Sequence, residues 1–198
     1  MPGAIGNVLV TGATRRIGAA VARALAVRGH GLALHHHSAQ ADTEALADAL
    51  RAAGAPRVCV VQGELSDPAT PAALLSAARA GLGGPIAGLV NNASRFVFDR
   101  PERFDYADLD RNMRINCAAP VALATALAGQ EDLAEGAVVN LLDQKVANLN
   151  PDFFTYTCSK LALAGATTML AQALAPRVRV NAVSPGLTLP SLDQSAEE

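Results

Sequence analysis

Aromatic residues are scarce in this chain, which has no tryptophan, two tyrosines and five phenylalanines in 198 residues. Its core must come from alanine, valine and leucine, which suits close packing of helices on a buried sheet. Cysteine is nearly as rare. Cys59, Cys117 and Cys158 are odd in number and widely scattered, so they form neither a disulfide framework nor a zinc pattern, and a reducing cytosol is expected. Charged residues are only 17% of the chain and the net charge is −2. No basic field exists to attract nucleic acid or acidic lipid. No run approaches the roughly 20 apolar residues that span a bilayer, and residues 1–7 hold no basic segment followed by a long apolar one. A cytoplasmic protein with a small-molecule partner, and neither nucleic acid nor membrane as a partner, is expected.

What the sequence does contain is alternation. Val8–Thr11, Gly31–His35, Arg57–Gln62, Gly88–Asn91, Gly136–Leu142 and Arg177–Val183 read as short buried strands. Between them, helical patterns run over Ile17–Arg28, Thr43–Ala53, Pro68–Leu82, Tyr106–Leu127 and Thr155–Leu174. Continuous apolar strands separated by helices predict a parallel sheet covered on both faces. Right-handed crossovers then give a three-layer doubly wound Rossmann fold, with ligands at the carboxyl ends of the strands. Residues 1–198 are expected to form one nucleotide-binding domain. A flavodoxin-like sheet fits less well, because the first strand–helix turn has the wrong chemistry for a flavin phosphate.

That turn is Thr11-Gly12-Ala13-Thr14-Arg15-Arg16-Ile17-Gly18. Glycine lets backbone approach a pyrophosphate closely, and a helix N-terminus stabilises its charge. Arg16 replaces the middle glycine of the usual fingerprint; its cation can reach phosphate or project toward substrate. The second strand runs into His35-His36-His37-Ser38 without the acid that would hold the ribose of NAD. Arg15, His35, His37 and Ser38 could instead hold a 2′-phosphate, which favours NADP(H); solvated loop histidines are the alternative. A metal site is not expected, since successive strand residues face opposite ways and no carboxylate partner is apparent.

Asn91-Asn92-Ala93-Ser94 closes the fourth strand, where its amides can pin neighbouring backbone and wall a nicotinamide site. Phe96 follows, placed either to pack or to stack on a flat heteroaromatic ligand. Tyr156 and Lys160 lie one helical turn apart on one face. A tyrosine normally ionises near pH 10, about three units too high for a base at neutrality, and Lys160 supplies a cation that would lower it. Tyr156 would then protonate the substrate as hydride arrives, Lys160 would also hold the ribose, and Asn116 would carry a water that relays protons to Lys160.

In these motifs and their order the chain resembles the short-chain dehydrogenase/reductase family, a likeness that extends to Asn181-Ala182-Val183-Ser184-Pro185-Gly186. The resemblance implies nicotinamide-dependent hydride transfer in a homotetramer or homodimer. It places Pro185 and Gly186 beside the nicotinamide, Thr188 near its amide or a phosphate, and Glu64-Leu65 near adenine. Asp143 where most members have serine, Arg16, the histidine-rich second strand and Asn-Ala-Ser-x-Phe at 92–96 are similar to the pteridine reductase branch, which includes dihydromonapterin and alternative dihydrofolate reductases. That likeness implies a pterin ring sandwiched between Phe96 and nicotinamide. Ser94 and Arg16 would contact substrate or phosphate, and Asp143 would assist Tyr156 in delivering protons to ring nitrogen. A dihydropterin or dihydrofolate-like substrate is therefore expected, with dihydrofolate reductase activity. The family's usual C-terminal helix and last strand have no counterpart before the polar tail after Pro190. Two other functions stay open: a general carbonyl or alcohol oxidoreductase, and a cofactor-binding but inactive sensor or structural subunit.

Overall fold

A computed structural model describes residues 6–186 and 188; the tail after Pro190 lies outside the described residues. Six strands form one sheet: β1 (Asn7–Val10), β2 (Gly31–His36), β3 (Val58–Gln62), β4 (Ile86–Asn91), β5 (Gly136–Leu141) and β6 (Val178–Val183). Their order is β3-β2-β1-β4-β5-β6 and every pairing is parallel. The doubly wound Rossmann arrangement is as expected. Strand order reverses between β1 and β4, which opens a crevice at their carboxyl ends.

Alternation along each strand divides the core. Val8, Val10, Leu32 and Leu34 pack under α1 (Arg16–Val27) and α2 (Gln40–Ala52), with Ala22, Leu46 and Leu50. Leu9, Ala33, Leu89 and Val138 face α3 (Thr70–Leu82) and α5 (Ala119–Ala128), with Leu74, Leu82, Leu123 and Leu127. Strand β4 begins two residues before the expected Gly88, at Ile86. Gly88 is an interior strand residue whose missing side chain admits Val8: a Cβ there would lie 2.8 Å from the valine methyl.

The expected helix over 106–127 is not uniform. It runs as α4 (Tyr106–Met113), a π turn over Arg114–Ala118, and α5. α6 (Phe154–Leu174) is the longest helix among the described residues, and its N-cap Phe153 sits at φ 56°, ψ 49° with no side-chain cap of its own. No helix among the described residues is long and apolar enough to cross a membrane.

Candidate active site

Loops from all six strands contribute to one cleft of about 910 Å3. Its floor is the turn after β1. Gly12 takes φ 60°, and a Cβ there would meet Ala93 Cα at 2.9 Å. A Cβ on Gly18, buried beneath the turn, would lie 2.3 Å from the Gly12 carbonyl oxygen. Arg16 keeps the left-handed backbone of a glycine, φ 50°, while carrying a long cationic side chain. Asn92 staples this turn to β4: its Nδ2 donates to the Thr11 and Gly12 carbonyls at 2.9 Å each. The backbone N–H groups of Asn92 and Ala93 both donate to Thr11 Oγ1 at 3.0 Å.

His35 supports the turn from the other side. Gly12 N donates to its Nδ1 at 3.2 Å, while its Nε2 lies 3.1 Å from the Gly63 carbonyl. Both ring nitrogens are thus engaged as a neutral imidazole with the proton on Nε2. Burial pushes its pKa down to about 4, against the Gly63 bond, which acts the other way. The residue borders the cleft but has no nitrogen left for a phosphate, which corrects that expectation. Thr14, Arg15, Arg16, His37 and Ser38 border a smaller adjoining cavity of about 260 Å3. His37 Nε2 lies 3.0 Å from Glu64 Oε2. The Glu64 carboxyl is held below its usual range, chiefly by a bond from Ser66 N–H. Leu65, Ile17 and Ala93 complete this end.

At the other end Tyr156 and Lys160 project from the first two turns of α6 beneath Asp143, which follows β5. The Tyr156 phenol donates to Asp143 Oδ2 at 2.8 Å. Burial, then the bond to Asp143 and its charge, raise the phenol pKa; the Ser94 hydroxyl acts the other way. The expected lowering by Lys160 is therefore reversed, because burial, and then the bond to Asp143 and its charge, favour the neutral phenol. Lys160 Nζ donates to the Leu141 carbonyl at 2.7 Å and lies 5.6 Å from the Tyr156 ring centroid. Burial lowers its pKa to about 8, with Asp143 opposing. Phe96 meets the Tyr156 ring edge-to-face at 4.7 Å and is 52% exposed. Pro185, Gly186 and Thr188 line the same wall, and the Pro185 carbonyl accepts from Gln144 N at 3.0 Å.

Asn116 lies behind the cleft rather than in its lining. The π turn aims its amide at the loop after β4, where Oδ1 accepts from Ser94 Oγ at 3.2 Å and Arg95 N at 2.8 Å. Its Nδ2 donates to the Arg95 carbonyl and Ser159 Oγ at 3.0 Å each. The side chain is saturated by protein partners and anchors that loop, leaving no amide atom for the expected water relay.

Sequence reasoning missed Arg111, Lys145 and Phe153, all of which line the cleft. Arg111 precedes Ile115 by one helical turn, and that spacing on the helix carrying Asn116 was the available signal. Lys145 and Phe153 stand in the loop between Asp143 and Tyr156. Lys145 Nζ donates to Asn150 Oδ1 at 2.6 Å and the Asp152 carbonyl at 2.9 Å. Phe153 stacks on Phe96 with centroids 4.1 Å apart and planes 9° apart.

A glycine turn stapled by asparagine, with tyrosine and lysine on one helix, invites comparison with known proteins. The sequence profile described as short chain dehydrogenase matches residues 6–198. The chain belongs to this family. Among other members, an uncharacterized oxidoreductase of Methylorubrum extorquens is 34% identical over 179 residues, covering 90% of this chain and 71% of that protein. Pteridine reductase 1 of Leishmania tarentolae is 32% identical over 221 residues, covering 91% and 76%. The crystal structure of FolM alternative dihydrofolate reductase 1 from Brucella canis, complexed with NADP, superposes with a TM-score of 0.87 at 45% identity, covering 94% of this chain and 75% of that one. This short chain dehydrogenase therefore shares fold and family with enzymes that act on pteridines and folates.

Proposed function

We propose that the chain is an NADPH-dependent reductase of a dihydropterin or dihydrofolate-like substrate. The observation that carries this reading is the 2.8 Å bond from the Tyr156 phenol to the Asp143 carboxylate, beside the exposed ring of Phe96. The cleft fits the cofactor on its own chemistry. Gly12 and Gly18 let the turn after β1 pack tightly against Ala93 and Asn92, so that its backbone and the start of α1 face the cleft where a pyrophosphate would lie. Arg15, Arg16, His37 and Ser38 surround a small cavity suited to a 2′-phosphate. Bound there, the nicotinamide supplies hydride. The relatives described as a pteridine reductase and an alternative dihydrofolate reductase support the same substrate class.

The residues divide the remaining work. Lys160, held by the Leu141 carbonyl, is placed to orient a ribose and to put positive charge near the reacting centre. Tyr156 stays protonated through neutrality, because burial and Asp143 raise its pKa, so it is ready to donate to a ring nitrogen. As the phenol gives up its proton, Asp143 can accept from a donor on the amino-pyrimidine edge. Phe96, half exposed beside Tyr156 and with Phe153 stacked on one face, supplies the aromatic side of the place for the ring.

NADPH oxidation should be measured with dihydrobiopterin, dihydromonapterin and dihydrofolate beside a panel of ketones and 3-oxoacyl thioesters. Turnover of at least one pterin or folate is expected, with Tyr156→Phe lowering kcat by about 100-fold or more and Asp143→Ser losing pterin turnover selectively. Reduction of ketones alone would sink the pterin reading in favour of a general carbonyl oxidoreductase. Cofactor binding without any turnover, unaltered by Tyr156→Phe, would mark a binding subunit.

A further inference from the structure

The first turn of α6 carries Tyr156, yet its N-cap Phe153 has a left-handed backbone and no side-chain oxygen. A helix start leaves several N–H groups in need of acceptors. Here the acceptors come from another loop. The Asp99 carboxylate accepts from Thr155 N at 3.2 and 3.1 Å and from Thr155 Oγ1 at 2.5 Å, and the Asp99 carbonyl accepts from Phe154 N at 3.4 Å. The Asn112 amide lies 2.7 Å from the same threonine hydroxyl.

Asp99 belongs to the segment that carries Phe96, three residues earlier. Around it the two loops meet repeatedly: Phe96 on Phe153, Phe98 edge-on to Phe153 at 5.3 Å, and Arg100 Nε with Asp152 Oδ1 at 2.8 Å. The capping acid is therefore joined by a short stretch of chain to the ring beside which the proton donor sits. From this juxtaposition we infer that Asp99 is a positioning residue: by capping α6 from the β4–α4 loop, it holds Tyr156 at a set distance from Phe96. It touches neither reacting atom, and acts through Thr155. Deleting it frees the first turn of α6 to fray and lets the aromatic seat and the proton donor drift apart.

The inference rests on the reductase reading for its kinetic arm only. Hydrogen exchange of residues 153–160, followed by mass spectrometry, is compared in the wild-type protein, Asp99→Ala, Asp99→Asn and the control Arg100→Ala. Exchange in that stretch should speed up in Asp99→Ala while β1 and β4 stay protected. Asp99→Asn should be intermediate, since its amide oxygen still accepts from Thr155 N–H. With dihydrobiopterin, kcat of Asp99→Ala should fall about tenfold at unchanged KM for NADPH, as expected when a reacting group loses its alignment. Arg100→Ala should alter neither, because its ion pair with Asp152 is solvent-exposed on both sides and caps no helix N–H group. Unchanged exchange in Asp99→Ala, unchanged kcat despite faster exchange, or an equal effect of Arg100→Ala would each overturn the assignment. If the wild-type protein reduces ketones and none of the three pterins and folates, the pterin reading fails by itself, and the same comparison of kcat is made with the ketone that is reduced; if it reduces another of the three, that substrate replaces dihydrobiopterin.

Discussion

Lys160 shows how one side chain can be forced to serve against its own solvation. Burial lowers its pKa to about 8, so it carries full charge below that value and loses it as pH rises through it. A neutral amine no longer places a cation beside Tyr156. The rate of hydride transfer should therefore decline above about pH 8, and a pH profile of kcat/KM measures it; Lys160→Met should be slow throughout and lack that limb. Tyr156 adds no limb in this range, because its pKa is raised. The tyrosine–lysine pair was legible in the sequence from spacing alone. The direction of the tyrosine shift was not, because it depends first on the burial of the ring and then on Asp143, thirteen positions away, arriving at 2.8 Å through the fold.

Among the elements, the turn into α1 is where letter and geometry part. Arg16 occupies φ 50°, a conformation that costs a side-chain-bearing residue about 1 kcal/mol or more. Arg16→Gly should relieve that strain and raise the unfolding free energy by about 1 kcal/mol in urea melts, while weakening NADPH binding measured by fluorescence titration. A stability gain without a loss of affinity would show that the arginine does not serve the cofactor. Strands were legible because continuous apolar runs need burial on both faces, and their boundaries fall within two residues of expectation. Phe153 was illegible for the opposite reason: nothing in a phenylalanine's local preference announces a left-handed helix cap.

At the scale of the whole molecule, His35 ties β1, β2 and the loop after β3 together, and makes that junction sensitive to acid. Its folded pKa of about 4 lies below the ordinary 6.5, so the unfolded chain binds the extra proton first. The stability it contributes is present above pH 6.5 and is lost as pH falls through 4, up to roughly 3 kcal/mol. Urea unfolding from pH 7 to 4 should show this loss in the wild-type protein and a flatter dependence in His35→Asn; parallel curves would refute it. The doubly wound sheet was readable from alternation, but the interruption of the helix over 106–128 was not. Arg114-Ile115-Asn116-Cys117-Ala118 contains no glycine or proline to announce a π turn. That turn amounts to an insertion: one residue beyond the α-helical repeat rotates everything after it by about 100°. A helical wheel drawn across 106–128 with an unbroken period of 3.6 would therefore put the residues of α5 on the wrong face.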